Sequence, residues 1–359
     1  MTTQASEDKR WMTRALSLAQ RGSLEAWPNP MVGCVIVKDG AVLGEGWHER
    51  FGQPHAEVMA VNACQDRDAL NGATAYVTLE PCSHHGKTPP CAQLLIDHGF
   101  ARVVMAVEDP NPLVSGAGRR MLETAGIHVD ADVCRPDATH LNRRFMHAMT
   151  SNVPWITMKW AQSRDGFIDP DTQAQPGRGG IGITGPEAQR WTHGFRAQHD
   201  GILVGMNTLL VDSPKLTTRV TAGRSPRRFV LTRGQTTPPL HWQVDRSWAQ
   251  GTTLLHPAKS PNMDSWTSLG FETRALHARA LSHDWWQEFK AAFGTQAILV
   301  EGGAQIHNSI LREGLWHEMH VLESPKEFKQ GLRAPEMSTA PATEAHALGS
   351  DKVMIWTQP

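Results

Sequence analysis

Two short stretches carry residues that can do chemistry together. "PHAEVMA" sets His55 two residues before Glu57, and "EPCSHHGKTPPC", residues 80 to 91, holds Cys82 and Cys91 with His84, His85 and Lys87 between them. One histidine and two cysteines can give Zn2+ three ligands and leave a fourth position for water, whose pKa a bound zinc lowers from about 15.7 to about 7. Glu57 is not needed as a ligand, so it can move protons. Two other readings stand beside this one. The first is a closed structural zinc site with His84 or His85 as fourth ligand, and the second is a pair of buried cysteines unrelated to metal. A closed site gives no reason for a His-x-Glu pair. The five cysteines, Cys34, Cys64, Cys82, Cys91 and Cys134, are an odd and sparse set that makes no disulfide framework. Cys34, Cys64 and Cys134 sit in apolar segments and read as packing residues.

Such a site needs elements that bring distant residues together. Periodicity predicts a helix over 7–21, ended by "PNP" at 28–30. A hairpin follows, turning at Asp39-Gly40. Then come a helix at "AEVMAVNACQ", a strand at "ATAYVTL", a helix at "PCAQLLIDHG", a strand at "ARVVMAVED", a helix near 117–126 and a strand at "IHVDADV". Alternating strands and helices predict an α/β fold with a mainly parallel sheet covered on both faces. His55 and Cys91 then lie at helix starts, where the helix dipole favours thiolate over thiol.

The pattern changes around 140–154, where "LNRRFMHAMTSNVP" reads as a helix running into a connector. A length of 359 residues agrees with two domains, drawn at 1–150 and 151–359. The second set holds strands at "WITMKWAQS", "GILVG", "RRFVL", "HEMHVLE" and "KVMIWT", and a helix from Pro186 to Gln198. "QAILVEGGAQIHNSILREG" reads as a strand, a Gly-Gly turn and a helix whose free N–H groups can hold a pyrophosphate. GxGxxG is absent, so there is no ordinary Rossmann fingerprint. Residues 233–290, rich in Trp, Pro and Ser, show poor periodicity.

The net charge of −1 gives no electrostatic reason for a nucleic-acid or membrane partner. No apolar run reaches the roughly 18–20 residues of a membrane helix. The polar start "MTTQASEDKR" lacks the core of a signal peptide, so a cytoplasmic protein is expected. The sequence leaves a homo-oligomer open.

His-x-Glu followed by Pro-Cys and a second Cys is the zinc-deaminase arrangement. Eight residues, "SHHGKTPP", part the two cysteines here. With "PNPMVGCVIVKDG", "PHAEVMA", "YVTLEPCSHHGKTPPC" and "DPNP", the first half resembles the riboflavin-biosynthesis deaminases, which usually carry a fused reductase. "KWAQSRDGFI", "ITGPEAQ", "FRAQHDGILVGMNTLLVDSPKLTTR" and "VEGG" follow in the order of that family's reductase domain. The resemblance implies a cytidine-deaminase-like N-terminal domain with zinc and a dihydrofolate-reductase-like C-terminal domain using NADPH, acting in turn on a pyrimidine ribonucleotide.

The same resemblance implies zinc at His55, Cys82 and Cys91, Glu57 as proton shuttle, and substrate contacts at Asn29, His48, His84 and Lys87. In the reductase it implies Arg196, Leu216, Arg219 and Glu301 for the substrate. It gives Thr208, Asp212 and the segment Gly303, Ala304, Gln305, Ile306, His307, Asn308 and Ser309 to the cofactor. Lys159 either serves the substrate or simply points from its strand. Arg233, directly after "RRFVLT", is a candidate partner for a cofactor 2′-phosphate. The family's Ser-x-Trp-Ile-Thr/Ser stretch is here "GGIGIT", with Gly180 and Gly182 at the Ser and Trp places, and its Pro-Lys-x-x-Gly becomes "SPKEFKQG". These departures motivate an alternative, a deaminase whose second domain serves only assembly.

Overall fold

The computed structural model describes residues 3–84, 89–111, 114–240, 242–337 and 340–358. The chain divides into two compact units, Met1–Ser151 and Asn152–Pro359.

The first unit runs α1 (Thr3–Ala19), β1 (Gly33–Lys38), β2 (Ala41–Trp47), α2 (Ala56–Ala63), β3 (Thr74–Val77), α3 (Cys91–Asp97), β4 (Arg102–Met105), α4 (Ala117–Thr124), β5 (His128–Asp130), α5 (Arg135–Leu141) and α6 (Arg143–Thr150). The sheet order is β2-β1-β3-β4-β5. Only β3, β4 and β5 are parallel; β1 is antiparallel to both β2 and β3. The expected mainly parallel sheet is therefore mixed in this unit. A two-residue turn can join only antiparallel strands, and Asp39 (φ 51) and Gly40 (φ 74) make that turn with both residues left-handed, as a type I′ turn requires. Helix α5, with a proline in its first turn, precedes the helix expected near 140.

Alternation along β1 feeds two cores. Cys34 and Ile36 join the layer containing Ala60, Leu95 and Leu122, while Val35 and Val37 join Met12 and Ala15 of α1. Cys34 is thus the packing residue expected of it.

Helix α2, which carries Glu57, lies against β2 at backbone distance. A Cβ at Gly44 would stand 2.2 Å from Ala60 O, and one at Gly46 2.5 Å from Ala60 N. Any side chain there would push α2 off the sheet.

The second unit comprises β6 (Trp155–Ser163), β7 (Phe167–Asp169), α7 (Pro186–Ala197), β8 (Gly201–Gly205), α8 (Met206–Asp212), β9 (Arg227–Leu231), α9 (Arg246–Gln250), β10 (Thr252–Pro257), α10 (Met263–Ser268), β11 (Glu272–Leu276), α11 (His283–Phe293), β12 (Ala297–Val300), α12 (Ala304–Glu313), β13 (Glu318–Ser324), β14 (Leu332–Arg333), β15 (Glu344–Leu348) and β16 (Asp351–Thr357). Nine strands form one sheet in the order β11-β10-β9-β8-β12-β6-β13-β16-β15. Neighbours from β11 to β13 are parallel; β16 and β15 close the other edge antiparallel. The aperiodic stretch 233–290 supplies β10 and β11 with their helices. Trp266, Trp285 and Trp286 from it are wholly buried. No described helix is long and apolar enough to cross a membrane.

The close approach of α2 to β2 generates a test. Gly46→Val, measured by urea unfolding and metal analysis, is expected to cost about 1–3 kcal/mol and to lower zinc retention, because α2 carries the site. An unchanged unfolding midpoint would contradict this packing.

Candidate active sites

The first site is built from the starts of two helices and the end of a strand. His55 is the residue before α2, Cys82 follows β3, and Cys91 opens α3. Among the described residues these three are the group whose ligand atoms lie within 4.8 Å of one another. His55 Nδ1 is 3.6 Å from Cys82 Sγ and 3.4 Å from Cys91 Sγ. A tetrahedral ion with Zn–S near 2.3 Å and Zn–N near 2.0–2.1 Å spaces N and S ligands about 3.5 Å apart, so the triangle fits zinc. Cys82 also accepts the Cys91 N–H at 3.3 Å. Hydrogen bonding from Cys91, against burial and with His55 adding to it, holds the Cys82 thiol down to about 4. Cys91, sharing its proton with that thiolate and buried, is pushed up.

Glu57 stands in the first turn of α2, 3% exposed. Burial, then the Cys82 charge, raises its carboxyl to about 7, with His55 opposing. A carboxyl poised near neutrality can both take and return a proton.

Asn29 and His48 meet beside this triangle. Asn29 Nδ2 lies 3.0 Å from His48 Nε2, and His48 Nδ1 lies 3.0 Å from Pro54 O. Since Pro54 O can only accept, Nδ1 carries the proton and Nε2 accepts from Asn29. The imidazole is neutral, and burial lowers its pKa. The His48 ring stands 5.8 Å from that of His55. His84 is exposed. Lys87 lies outside the described residues.

Sequence reasoning missed Glu80. Its buried carboxylate accepts the N–H groups of Asp109 (3.1 Å), Gly116 (2.9 Å) and Arg119 (3.1 Å). It thereby ties the loop before α4, and the first turn of α4, to the strand end that carries Cys82. The one available signal was its place directly before Pro-Cys.

The second site lies along the carboxyl ends of parallel strands. Glu301 follows β12. Arg196, near the end of α7, grips it with Nε on Oε1 (2.8 Å) and Nη2 on Oε2 (2.6 Å), and Nη1 donates to Thr217 O. Arg196 thus spends its fork inside the protein, while Arg219 is exposed. Although burial opposes it, Arg196 together with Lys159 keeps the Glu301 carboxyl down at about 2. Burial lowers the Lys159 ammonium, with Glu301 opposing, so Lys159 faces the same charges. Leu216 is buried with a left-handed backbone, φ 52.

Gly302 and Gly303 bend the chain from β12 into α12 beside Thr208. A Cβ at Gly303 would come within 3.2 Å of Thr208 Oγ1. No side chain caps the first turn of α12, so a pyrophosphate can approach its N–H groups closely. Beyond Gln305 the segment turns away. Ile306 and His307 enter the core, Asn308 accepts from Glu336 N, and Ser309 bonds Gln305 O. Asp212 closes α8, whose last carbonyls are capped by the N–H groups of Gly177 and Gly179. Gly182 has open space where a side chain would go, and Gly180 faces Asp212. Arg233 is exposed just past β9, whereas Arg228 is bonded to Thr252 and Trp248.

Comparison with known proteins matches both halves. Residues 5–107 match the cytidine and deoxycytidylate deaminase zinc-binding region, and residues 154–328 match the RibD C-terminal domain. The chain is 36% identical over 347 residues to riboflavin biosynthesis protein RibD of Aquifex aeolicus, covering 96% of this chain and 95% of that protein. It is 36% identical over 366 residues to RibD of Escherichia coli K12, covering 94% and 92%. Among solved structures, Acinetobacter baumannii RibD aligns at TM-score 0.81 with 32% identity over 99% of both chains. The diaminohydroxyphosphoribosylaminopyrimidine deaminase/5-amino-6-(5-phosphoribosylamino)uracil reductase of Thermotoga maritima aligns at 0.79 with 30% identity over 98% and 99%.

Fold and sites together define a two-domain enzyme, a cytidine-deaminase-like zinc hydrolase followed by a dihydrofolate-reductase-like oxidoreductase. The chain belongs to the RibD family, the bifunctional deaminase/reductases of riboflavin biosynthesis.

The Arg196–Glu301 clamp makes stability depend on pH. Glu301 sits at about 2 in the folded chain against an ordinary 4.5, so its contribution is complete above 4.5 and is lost as pH falls through 2. Glu301→Gln is expected to cost about 3 kcal/mol at neutral pH. The gap to wild type should close progressively below pH 4.5. Urea unfolding across that range measures it; a gap independent of pH would contradict the assignment.

Proposed function

We propose that the first unit deaminates the pyrimidine of 2,5-diamino-6-(5-phosphoribosylamino)pyrimidin-4-one. The second unit then reduces the ribosyl group of 5-amino-6-(5-phosphoribosylamino)uracil to a ribityl chain with NADPH. The reading is carried by one observation: the His55–Cys82–Cys91 triangle with buried Glu57 beside it. We place the enzyme in the cytoplasm, acting on small molecules.

His55, Cys82 and Cys91 would hold zinc, which when bound makes hydroxide available from water at neutral pH. Glu57 takes one proton from the attacking water and gives it to the ring nitrogen, then takes the proton of the hydroxyl added to the ring and gives it to the amino group, which departs as ammonia. A positioned acid–base of this kind is worth about 10²–10⁴-fold. Asn29, its amide nitrogen committed to His48, presents Oδ1 to the pyrimidine edge. His48 fixes that orientation. His84 and Lys87 are assigned to the substrate, Lys87 as partner of its phosphate.

In the second unit the first turn of α12, from Gly303 to Gln305, would hold the cofactor pyrophosphate, with Thr208 beside it; Asp212, at the end of α8, is also assigned to the cofactor. NADPH when bound supplies a hydride. Arg233, exposed past β9, is the cation assigned to the 2′-phosphate that distinguishes NADPH from NADH. Glu301, oriented by Arg196, and Leu216 form the ribose wall, and Arg219 offers its guanidinium to the phosphate.

Glu57→Gln tests the reading. It should keep zinc, lose deamination by at least about 10²-fold, and still reduce the already deaminated intermediate, preferring NADPH to NADH. Near-wild-type deamination would remove Glu57 from its role. Loss of both steps in a folded, zinc-loaded variant would refute two separate sites.

A further inference from the structure

Helix α7 presents two buried side chains one turn apart, His193 and Arg196, and both hold the same loop. His193 is 4% exposed, and its Nδ1 accepts the backbone N–H of Arg219 at 3.0 Å. Arg196 Nη1 donates to Thr217 O at 3.1 Å. The loop between α8 and Arg219 is not relaxed. Ser213 (φ 41) and Leu216 (φ 52) both have left-handed backbones, and for a bulky residue such as leucine this persists only where the surroundings over-determine it.

An Nδ1 that accepts a hydrogen bond carries no proton, so the His193 ring is neutral with its proton on Nε2. Its neighbours keep it so. Burial and the cations of Arg196, Arg219 and Lys159 lower its pKa to about 4, with Glu301 opposing. At neutral pH the ring is therefore a fixed acceptor, with no proton to exchange through Nδ1.

We propose that His193 is a positioning residue of the reductase: by accepting the Arg219 amide it fixes the backbone from which the Arg219 guanidinium reaches the substrate phosphate. This rests on the reading of Arg219 as phosphate partner. Arg196 cannot take that task, since its guanidinium is held by Glu301 and Thr217 O.

The test compares the phosphorylated deaminated intermediate with its dephosphorylated riboside, using NADPH and full-length protein. His193→Leu is expected to raise KM for the phosphorylated substrate about tenfold or more. Its kcat should change less, and KM for the riboside and for NADPH should stay at wild-type values. His193→Asn, whose Oδ1 can stand where Nδ1 stood, should restore most of the loss; His193→Gln should not. That pair carries the test if the leucine variant does not fold. An unchanged KM for the phosphorylated substrate, or an equal loss on phosphorylated substrate, riboside and NADPH, overturns the proposal. Arg219→Ala separates the two levels. If it leaves the phosphorylated KM unchanged, the phosphate assignment itself fails and the proposal falls with it. If Arg219→Ala raises that KM while His193→Leu does not, the assignment stands and only His193 loses its role.

Discussion

A strand that pairs in parallel with an earlier one must be reached by a chain that first crosses back over the sheet. Where that return is a helix, its N-terminus lies beside the carboxyl end of the preceding strand. In both units this places free N–H groups and a favourable dipole at one edge of the sheet. Cys82 lies past the end of β3, and Cys91 opens the helix that returns to β4. Glu301 lies past β12, and α12 returns to β13. Thr208 lies in α8, which follows β8 directly. The hairpin edge of the first sheet and the antiparallel edge of the second contribute none of these groups. Helix α2 is the exception that the glycines explain. It enters from an antiparallel hairpin and reaches the site because Gly44 and Gly46 let its backbone touch β2.

Burial then sets the chemistry. Glu57 would be an ordinary carboxylate on an exposed helix; inside the first unit it is raised to about 7. Glu301 is equally buried but is gripped by a guanidinium and stays ionised. Two equally buried glutamates thus shift in opposite directions, and the difference is the presence of a bidentate arginine. Glu80 shows a third solution, with backbone N–H groups satisfying the carboxylate and a loop fixed as the consequence.

The zinc triangle was legible because its chemistry is dense and local: His55 and Glu57 two residues apart, Cys82 and Cys91 nine apart, each next to a clear change of element. The Asp39-Gly40 turn and the strands "WITMKWAQS" and "RRFVL" were legible for the same reason. What failed depended on partners far along the chain. Glu80 acts on amides 29 to 39 residues later, and His193 on an amide 26 residues later. Neither residue type announces such a bond. Residues 233–290 failed differently. β10 is buried from Thr252 to Leu255 and so loses the alternation that marks a strand, and β11 is a short edge strand. The tryptophans there fill a core instead of lying on a surface. The resemblance assigns Arg196 to the substrate; only the fold shows Glu301 already in its fork.

The account's central claim is that one chain carries two complete sites working in sequence. It is tested most directly by giving purified, zinc-loaded protein the diaminopyrimidine ribonucleotide, with and without NADPH, and identifying the products by mass. Without NADPH the account predicts ammonia and a product in which one NH has been exchanged for O. With NADPH it predicts that product with two further hydrogens and an equivalent of NADP+. Accumulation of the unreduced deaminated compound in the presence of NADPH would contradict it, leaving a deaminase with a silent second domain.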